Sequence, residues 1–270
     1  MMNSTTTQSK IKRIVFKILR AVLVTALWVL VWDVAAVLVA RENAVLNIFL
    51  PRPATVVDTW LEIAFTKVFF SALLTSFSRI LSGFAIGFTI GALMGVLTHS
   101  IKVVDWIFSP MFKVIRAIPV AAVTILFFAF FESQALPTAV VVLMVAPLIW
   151  QTVHDGLSTP QKNLNEMAKV YSLGTVKTVL YIKLPCLFPS LASNTVNALG
   201  LAWKSGVAAE VIIGTSIVGL GAELKHYQGI VGYDEVYAIT LTVVILSLII
   251  EVLLKFLCRK FLERGSMSVD

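Results

Sequence analysis

Along the chain, apolar residues gather into long unbroken runs instead of alternating with polar ones. Six runs stand out, at 21–40, about 70–98, about 103–131, 136–153, 189–214 and 237–258. Each reaches the roughly 18 residues that read as a membrane-crossing helix. Transmembrane β-strands would alternate polar and apolar residues over segments of about ten. The pattern predicts an all-α membrane protein with six transmembrane helices, joined by connections at 41–67, 99–102, 132–135, 154–188 and 215–236. The third run contains Pro110 and Pro119 and is read as one long span.

Two shorter segments follow a different rhythm. After Pro51 and Pro53, the residues Val56, Val57, Trp60, Leu61, Ala64 and Phe65 recur at helical spacing, with Asp58 and Glu62 opposite. This predicts an amphipathic helix over 54–66 lying at the membrane surface. The second is "NLNEMAKVYSLGTVKTVLYIKLP", residues 163–185, a polar stretch between two apolar runs. Leu164, Met167, Ala168 and Tyr171 form one face of a short helix, with Asn165, Glu166 and Lys169 on the other. Ser172–Gly174 supplies a break, with Gly174 expected to take the turn. Thr175 to Lys183 then forms a second helix, ending at Leu184 and Pro185, where proline suits a turn into the next span. The result is a helix–turn–helix too polar for lipid. Its first helix suits a groove on another protein, or failing that the bilayer surface.

Composition and charge narrow the class. The chain is 58% hydrophobic and 14% charged, against roughly 25% charged residues in soluble domains. The first apolar run is longer than a signal peptide's, and no small-residue cleavage site clearly closes it, so it reads as a first transmembrane helix. Five basic and no acidic residues precede it. Lys162, Lys169, Lys177 and Lys183 lie in the 154–188 connection, and Arg259, Lys260 and Arg264 follow the last run. The 215–236 connection holds Glu223, Asp234 and Glu235 against Lys225. Because short cytoplasmic loops collect Lys and Arg, the bias predicts both termini on the cytoplasmic side. Residues 1–20 are then a basic cytoplasmic segment, 21–258 one transmembrane domain and 259–270 a cytoplasmic tail. The net charge of +7 follows from this topology and does not call for nucleic acid.

Chemistry-bearing residues are few. Gly83, Gly87, Gly91 and Gly95 are spaced by four on the second run, a stripe that lets another helix approach closely. The charges inside runs include Asp33, Arg79, Lys204, Glu210 and Glu251, and such charges are costly in a membrane. Trp203, Val207 and Glu210 share one helix face while Lys204 points elsewhere, so Glu210 needs a partner on another element, for which Arg79 is a plausible mate. Structural pairing and a place on a translocation pathway or interface, with Trp203, Lys204, Glu210 and Arg79 as its residues, remain equal readings. Glu251 and Lys255 form an i, i+4 pair. Asp33, beside Trp32, has no assignment. His99, His154 and His226 are read as lying in separate loops, without zinc or triad spacing, and there is no GxxxxGK[ST]. Cys186 and Cys258 form no metal or disulfide pattern. No catalytic or metal residues are therefore expected, and any ATP hydrolysis belongs to another polypeptide.

The polar stretch resembles the EAA loop of inner-membrane permeases of ATP-binding-cassette importers, whose pattern is E-A-A, three residues, G, nine residues, I-x-L-P. Glu166, Ala168, Ile182, Leu184 and Pro185 fall in register, with Met167 at the first alanine and Ser172 at the glycine. "LPRPATVVDTW", "SRILSGFAIGFTIGALMGVL", "FSPMFKVIRAIPVAAVTILFF", "AWKSGVAAEVIIG" and "GLG" at 219–221 are similar to segments of the nitrate, sulfonate and taurine permease group. The resemblance implies a type I importer permease fold in a bacterial cytoplasmic membrane, acting as a homodimer around a central pathway. It implies that Glu166, Met167, Ala168, Tyr171, Ser172, Gly174, Leu184 and Pro185 couple to a cytosolic ATPase. ATP and magnesium would then be bound by that partner and not by this chain. An external binding protein would deliver a solute such as a sulfonate, taurine, nitrate or a vitamin precursor. A secondary transporter or channel is the alternative, and it would need no docking helix.

Overall fold

The computed structural model describes residues 4–42, 44–158, 166–167 and 170–266. Among the described residues there are helices and turns but no strands. By contact the chain divides into two units, Met1–Phe65 with Tyr227–Ala238, and Thr66–His226 with Ile239–Asp270.

The first unit holds α1 (Ser4–Glu42), α2 (Ala44–Phe49), α3 (Pro53–Ala64) and the first turns of the last helix. Pro53 begins α3, where its fixed φ suits helix entry and its missing N–H costs nothing. Arg52 forks onto Asp33, with Nε–Oδ1 at 2.9 Å and Nη2–Oδ2 at 3.1 Å. Asp33, which sequence reading could not assign, therefore pairs with an arginine that follows the first span. The Trp32 indole N–H donates to the Pro51 carbonyl at 3.1 Å, and its ring stacks on Tyr237. Along α1, Leu23, Leu27, Trp28 and Leu38 remain exposed, the outward apolar surface of a lipid-facing helix.

The second unit is built around α7 (Leu136–Ser158), whose apolar residues surround the whole helix because neighbours enclose it. α4 (Lys67–Ser100) lies against α7 along the glycine stripe. A Cβ on Gly83 would sit 2.9 Å from the Thr138 carbonyl, and one on Gly95 2.9 Å from that of Trp150. The stripe therefore packs within one chain. α8 (Leu184–Ile213) crosses the other side of α7. Val123, Leu136, Val140, Met144, Ala209, Ile213, Ile217 and Ala222 form a continuous core cluster. α9 (Leu220–Gly229) and α10 (Tyr233–Ser266) complete the chain. On α10, Leu248, Val252, Leu253 and Phe256 are exposed, again as lipid would require. The Glu251–Lys255 ion pair is present.

Several sequence expectations change. The run at 103–131 is not one continuous helix: α5 (Lys102–Ala117) and α6 (Val120–Phe127) meet at a 105° bend. Ile118 precedes Pro119, and a residue before proline is driven from helical into extended backbone; here it has φ −79° and ψ 129°. Five helices are long and apolar enough to cross a membrane, or six with the bent pair, among the described residues. The 215–236 connection contains helix α9 instead of being all loop. His99, His154 and His226 lie on α4, α7 and α9, not in loops. The rings of His99 and His154 come within 6.3 Å. Pro185 makes no turn: helix Thr175–Thr178, a π-turn Val179–Lys183 and α8 run on without a break. The Leu184 N–H reaches back to the Val179 carbonyl. This wider winding eases the clash between a proline ring and the carbonyl four residues before it.

Candidate functional site

Three polar features stand out in the second unit. The first surrounds Glu210, which is fully buried on α8. Arg79 of α4 donates from Nη1 to Glu210 Oε1 at 2.7 Å and to the Val218 carbonyl at 3.1 Å, and from Nη2 to Gln134 Oε1 at 2.9 Å. Ser76, one turn before Arg79, donates to Glu210 Oε2 at 2.6 Å and accepts the Leu220 N–H at 2.8 Å. The Gly221 N–H adds a bond to Oε2 at 3.1 Å. Gly219 and Gly221 are needed there because a Cβ on Gly219 would meet the carboxylate at 2.7 Å, and one on Gly221 the Val207 carbonyl at 2.5 Å. Both carboxylate oxygens and both terminal guanidinium nitrogens are thus hydrogen-bonded, the condition under which a buried ion pair is tolerated. Trp203 on the same face is also buried, donating to the Val243 carbonyl at 3.1 Å. Lys204 lies on the exposed side of α8. The structure brings Arg79 and Glu210 together; it leaves Lys204 apart from both.

The second feature is a cavity of about 480 Å³, lined by Arg116 at the end of α5, Gln151, Thr152 and Asp155 on α7, and Ser190 and Asn194 on α8. Gln151 and Asp155, and likewise Ser190 and Asn194, are one helical turn apart, so polar stripes of two apolar spans face one space. Lipid would leave such groups unsatisfied, so this surface faces water or protein. Sequence reading missed it because each residue alone looks like a stray polar position.

The third is the segment after α7. Glu166 and Met167 are helical, and the Tyr171 N–H bonds to the Met167 carbonyl at 3.0 Å. Ala168 lies outside the described residues. Met167, Val170 and Tyr171 are 47%, 80% and 71% exposed, an apolar face without cover from the described residues. The turn is at Ser172, with φ 49°, and not at Gly174, which is not in the left-handed region. Gly174 instead opens the next helix, its carbonyl accepting the Thr178 N–H at 3.0 Å. Ser172 therefore takes the left-handed conformation at the position where the resembled pattern has glycine, as short polar residues can. Leu184 and Pro185 sit in the continuous helical run described above. Among the described residues no group of His, Cys, Asp or Glu could hold a metal ion.

The sequence pattern of the "Binding-protein-dependent transport system inner membrane component" family matches residues 87–263. The chain belongs to that family. Family members similar to it include the bicarbonate transport system permease protein CmpB of Synechococcus elongatus, 30% identical over 159 residues. That match covers 57% of this chain and 56% of CmpB, a little over half of its length. The nitrate import permease protein NrtB of Leptolyngbya laminosa is 29% identical over 178 residues, covering 64% of this chain and 61% of NrtB. These relatives agree with the nitrate and sulfonate permease group. Among solved structures, the bacterial alginate ABC transporter in complex with alginate pentasaccharide-bound periplasmic protein contains a similar chain. Its TM-score is 0.61 at 14% identity, with 94% of this chain and 97% of that one covered. At that identity the likeness concerns the fold, which is that of an ABC transporter permease, and the chain is a multi-pass membrane protein.

Proposed function

We propose that this chain is the membrane-spanning subunit of a bacterial ATP-binding-cassette importer, in which two copies enclose a solute pathway in the cytoplasmic membrane. Its termini face the cytoplasm, as the placement of basic residues requires. The chain has no ATPase site of its own; ATP and magnesium act on separate cytosolic subunits. An extracytoplasmic binding protein hands over the solute. Relatives named for bicarbonate and nitrate support a small anion such as nitrate or a sulfonate, with a vitamin precursor as the other class.

The observation that carries this reading, within the family, is the segment Glu166–Gly174. Its apolar residues Met167, Val170 and Tyr171 are exposed on a polar stretch, which suits insertion into a cleft of a soluble partner. Glu166 is helical, and its negative charge suits a basic rim on a partner. Closure of the ATPase pair then moves the two docked segments and biases the spans between inward-open and outward-open states. The polar wall of Arg116, Gln151, Thr152, Asp155, Ser190 and Asn194 is the stretch of pathway that one copy contributes. Glu210 and Arg79, enclosed within the chain, hold the helices that carry it.

Replacing Glu166 with Arg, and separately Ala168 with Trp, tests the reading by ATPase pull-down and by ATP-dependent uptake in proteoliposomes. Loss of both is expected. Unchanged pull-down and uptake would refute it.

A further inference from the structure

A chain of hydrogen bonds joins the coupling stretch to the ends of two spans. Lys183, in the last turn before Leu184 and Pro185, places its Nζ 2.9 Å from His99 Nε2 at the end of α4. His99 Nδ1 lies 3.0 Å from Ser158 Oγ at the end of α7, and that hydroxyl donates to the His154 carbonyl at 2.7 Å. The proton inventory is then determined. Ser158 has one proton and gives it to His154, so His99 Nδ1–H must be the donor to Ser158. His99 Nε2 is left as a lone pair, and only a neutral imidazole offers it to an ammonium. A similar count holds next door. Thr98 donates to the Met94 carbonyl at 2.8 Å and accepts the Trp150 indole N–H at 2.9 Å, so His154 Nδ1, 3.1 Å away, also donates. Among the described residues the charged and titratable groups facing His99 are Lys183 and His154, and Asp105 on α5 stands 3.9 Å from His154.

We infer that Lys183 and His99 are positioning residues for coupling: their bond carries motion of the docked 166–174 segment into α4 and, through Ser158, into α7. This rests on the docking reading above. The spacing supports it physically. α4 and α7 are packed backbone to backbone through the glycine stripe, so a pull at their shared end moves them as one body. Beyond the turn at Ser172 the route from Thr175 to Lys183 is helical, so displacement that reaches Thr175 is passed on to Lys183. The same bond gives the link a proton sensitivity. Adding a proton to His99 removes the acceptor and places two cations in contact, so the link opens as the cytosolic side acidifies.

The test measures three quantities in proteoliposomes holding the full importer: ATPase pull-down, ATP hydrolysis and solute uptake per ATP hydrolysed. Lys183→Met and His99→Leu are expected to keep the pull-down while uptake per ATP falls about tenfold or more, the scale of one lost hydrogen bond to a charged group. His99→Gln keeps a carbonyl acceptor that does not titrate. It should restore coupling and abolish the loss of coupling that the wild type shows when the cytosolic side is acidified. A purely structural role would not be rescued in this pH-independent way. Unchanged uptake per ATP in Lys183→Met overturns the inference, as does loss of pull-down in that variant, which would put Lys183 in the docking surface itself. If Glu166→Arg leaves pull-down intact, the docking reading fails and this inference fails with it.

Discussion

α4 carries two polar clusters, about 30 Å apart by helical rise, and the two are built on opposite principles. At Arg79 the guanidinium and Glu210 are enclosed, and each carboxylate oxygen and each terminal guanidinium nitrogen is bonded to a partner on another segment of the chain. At His99 the groups are half-exposed, the bonds run in a single line, and each link depends on one proton. Buried groups with several partners cost much to separate; partly solvated groups with one bond each can part and rejoin. The first cluster suits a clamp and the second a joint, which is how we assign them in a subunit that must stay folded while its helices shift.

The contrast is most open to attack at Arg79. Arg79→Leu strands a buried carboxylate and is expected to lower stability by about 3–5 kcal/mol, seen as a fall in Tm or loss of folded protein in detergent. Adding Glu210→Leu should recover much of that loss, since a buried pair can often be replaced by apolar groups without net cost. If the double variant is no better than the single, the clamp is not an ion pair in effect. Next comes the surface that joins the two clusters. Gly91→Val would push a side chain into the Ala146 carbonyl, and overpacking of this kind costs about 1–3 kcal/mol, measurable by thermal unfolding. Trp150→Phe, which removes the indole N–H bond to Thr98 but keeps an aromatic ring against Phe112, should cost about 1 kcal/mol. The smallest effect is expected at Ser172. Ser172→Gly relieves a left-handed backbone, worth about 1 kcal/mol or less, and should slow proteolysis of this segment.

The spans were legible because bilayer thickness sets a length that hydropathy reads directly. Helix ends were not, since α7 and α8 continue past their apolar runs into polar sequence, where hydropathy falls but backbone hydrogen bonding does not. The bend at Pro119 was missed for a related reason: an apolar run reports burial in lipid and carries no information on direction. The glycine stripe was visible, as its spacing is local. The partners of Glu210 were only partly visible. Arg79 could be guessed as a mate, but Ser76, Gln134 and the Gly221 N–H come together only through tertiary packing. Gly174 was preferred over Ser172 for the turn because glycine is the ordinary left-handed residue, whereas the helix that restarts at Gly174 requires the reversal two residues earlier. The Lys183–His99 contact joins residues 84 apart and has no local signal at all.

The most direct test of the account is a cysteine cross-link between the segment Glu166–Gly174 and the ATPase. With Cys186 and Cys258 replaced by alanine, single cysteines at Met167, Val170, Tyr171 and the exposed control Tyr181 would be probed against the ATPase subunit with a short bifunctional maleimide. Cross-linking at 167, 170 and 171, absent at 181 and altered by ATP, is the predicted result. Cross-linking at none of the three, in an importer that still takes up solute, would contradict it.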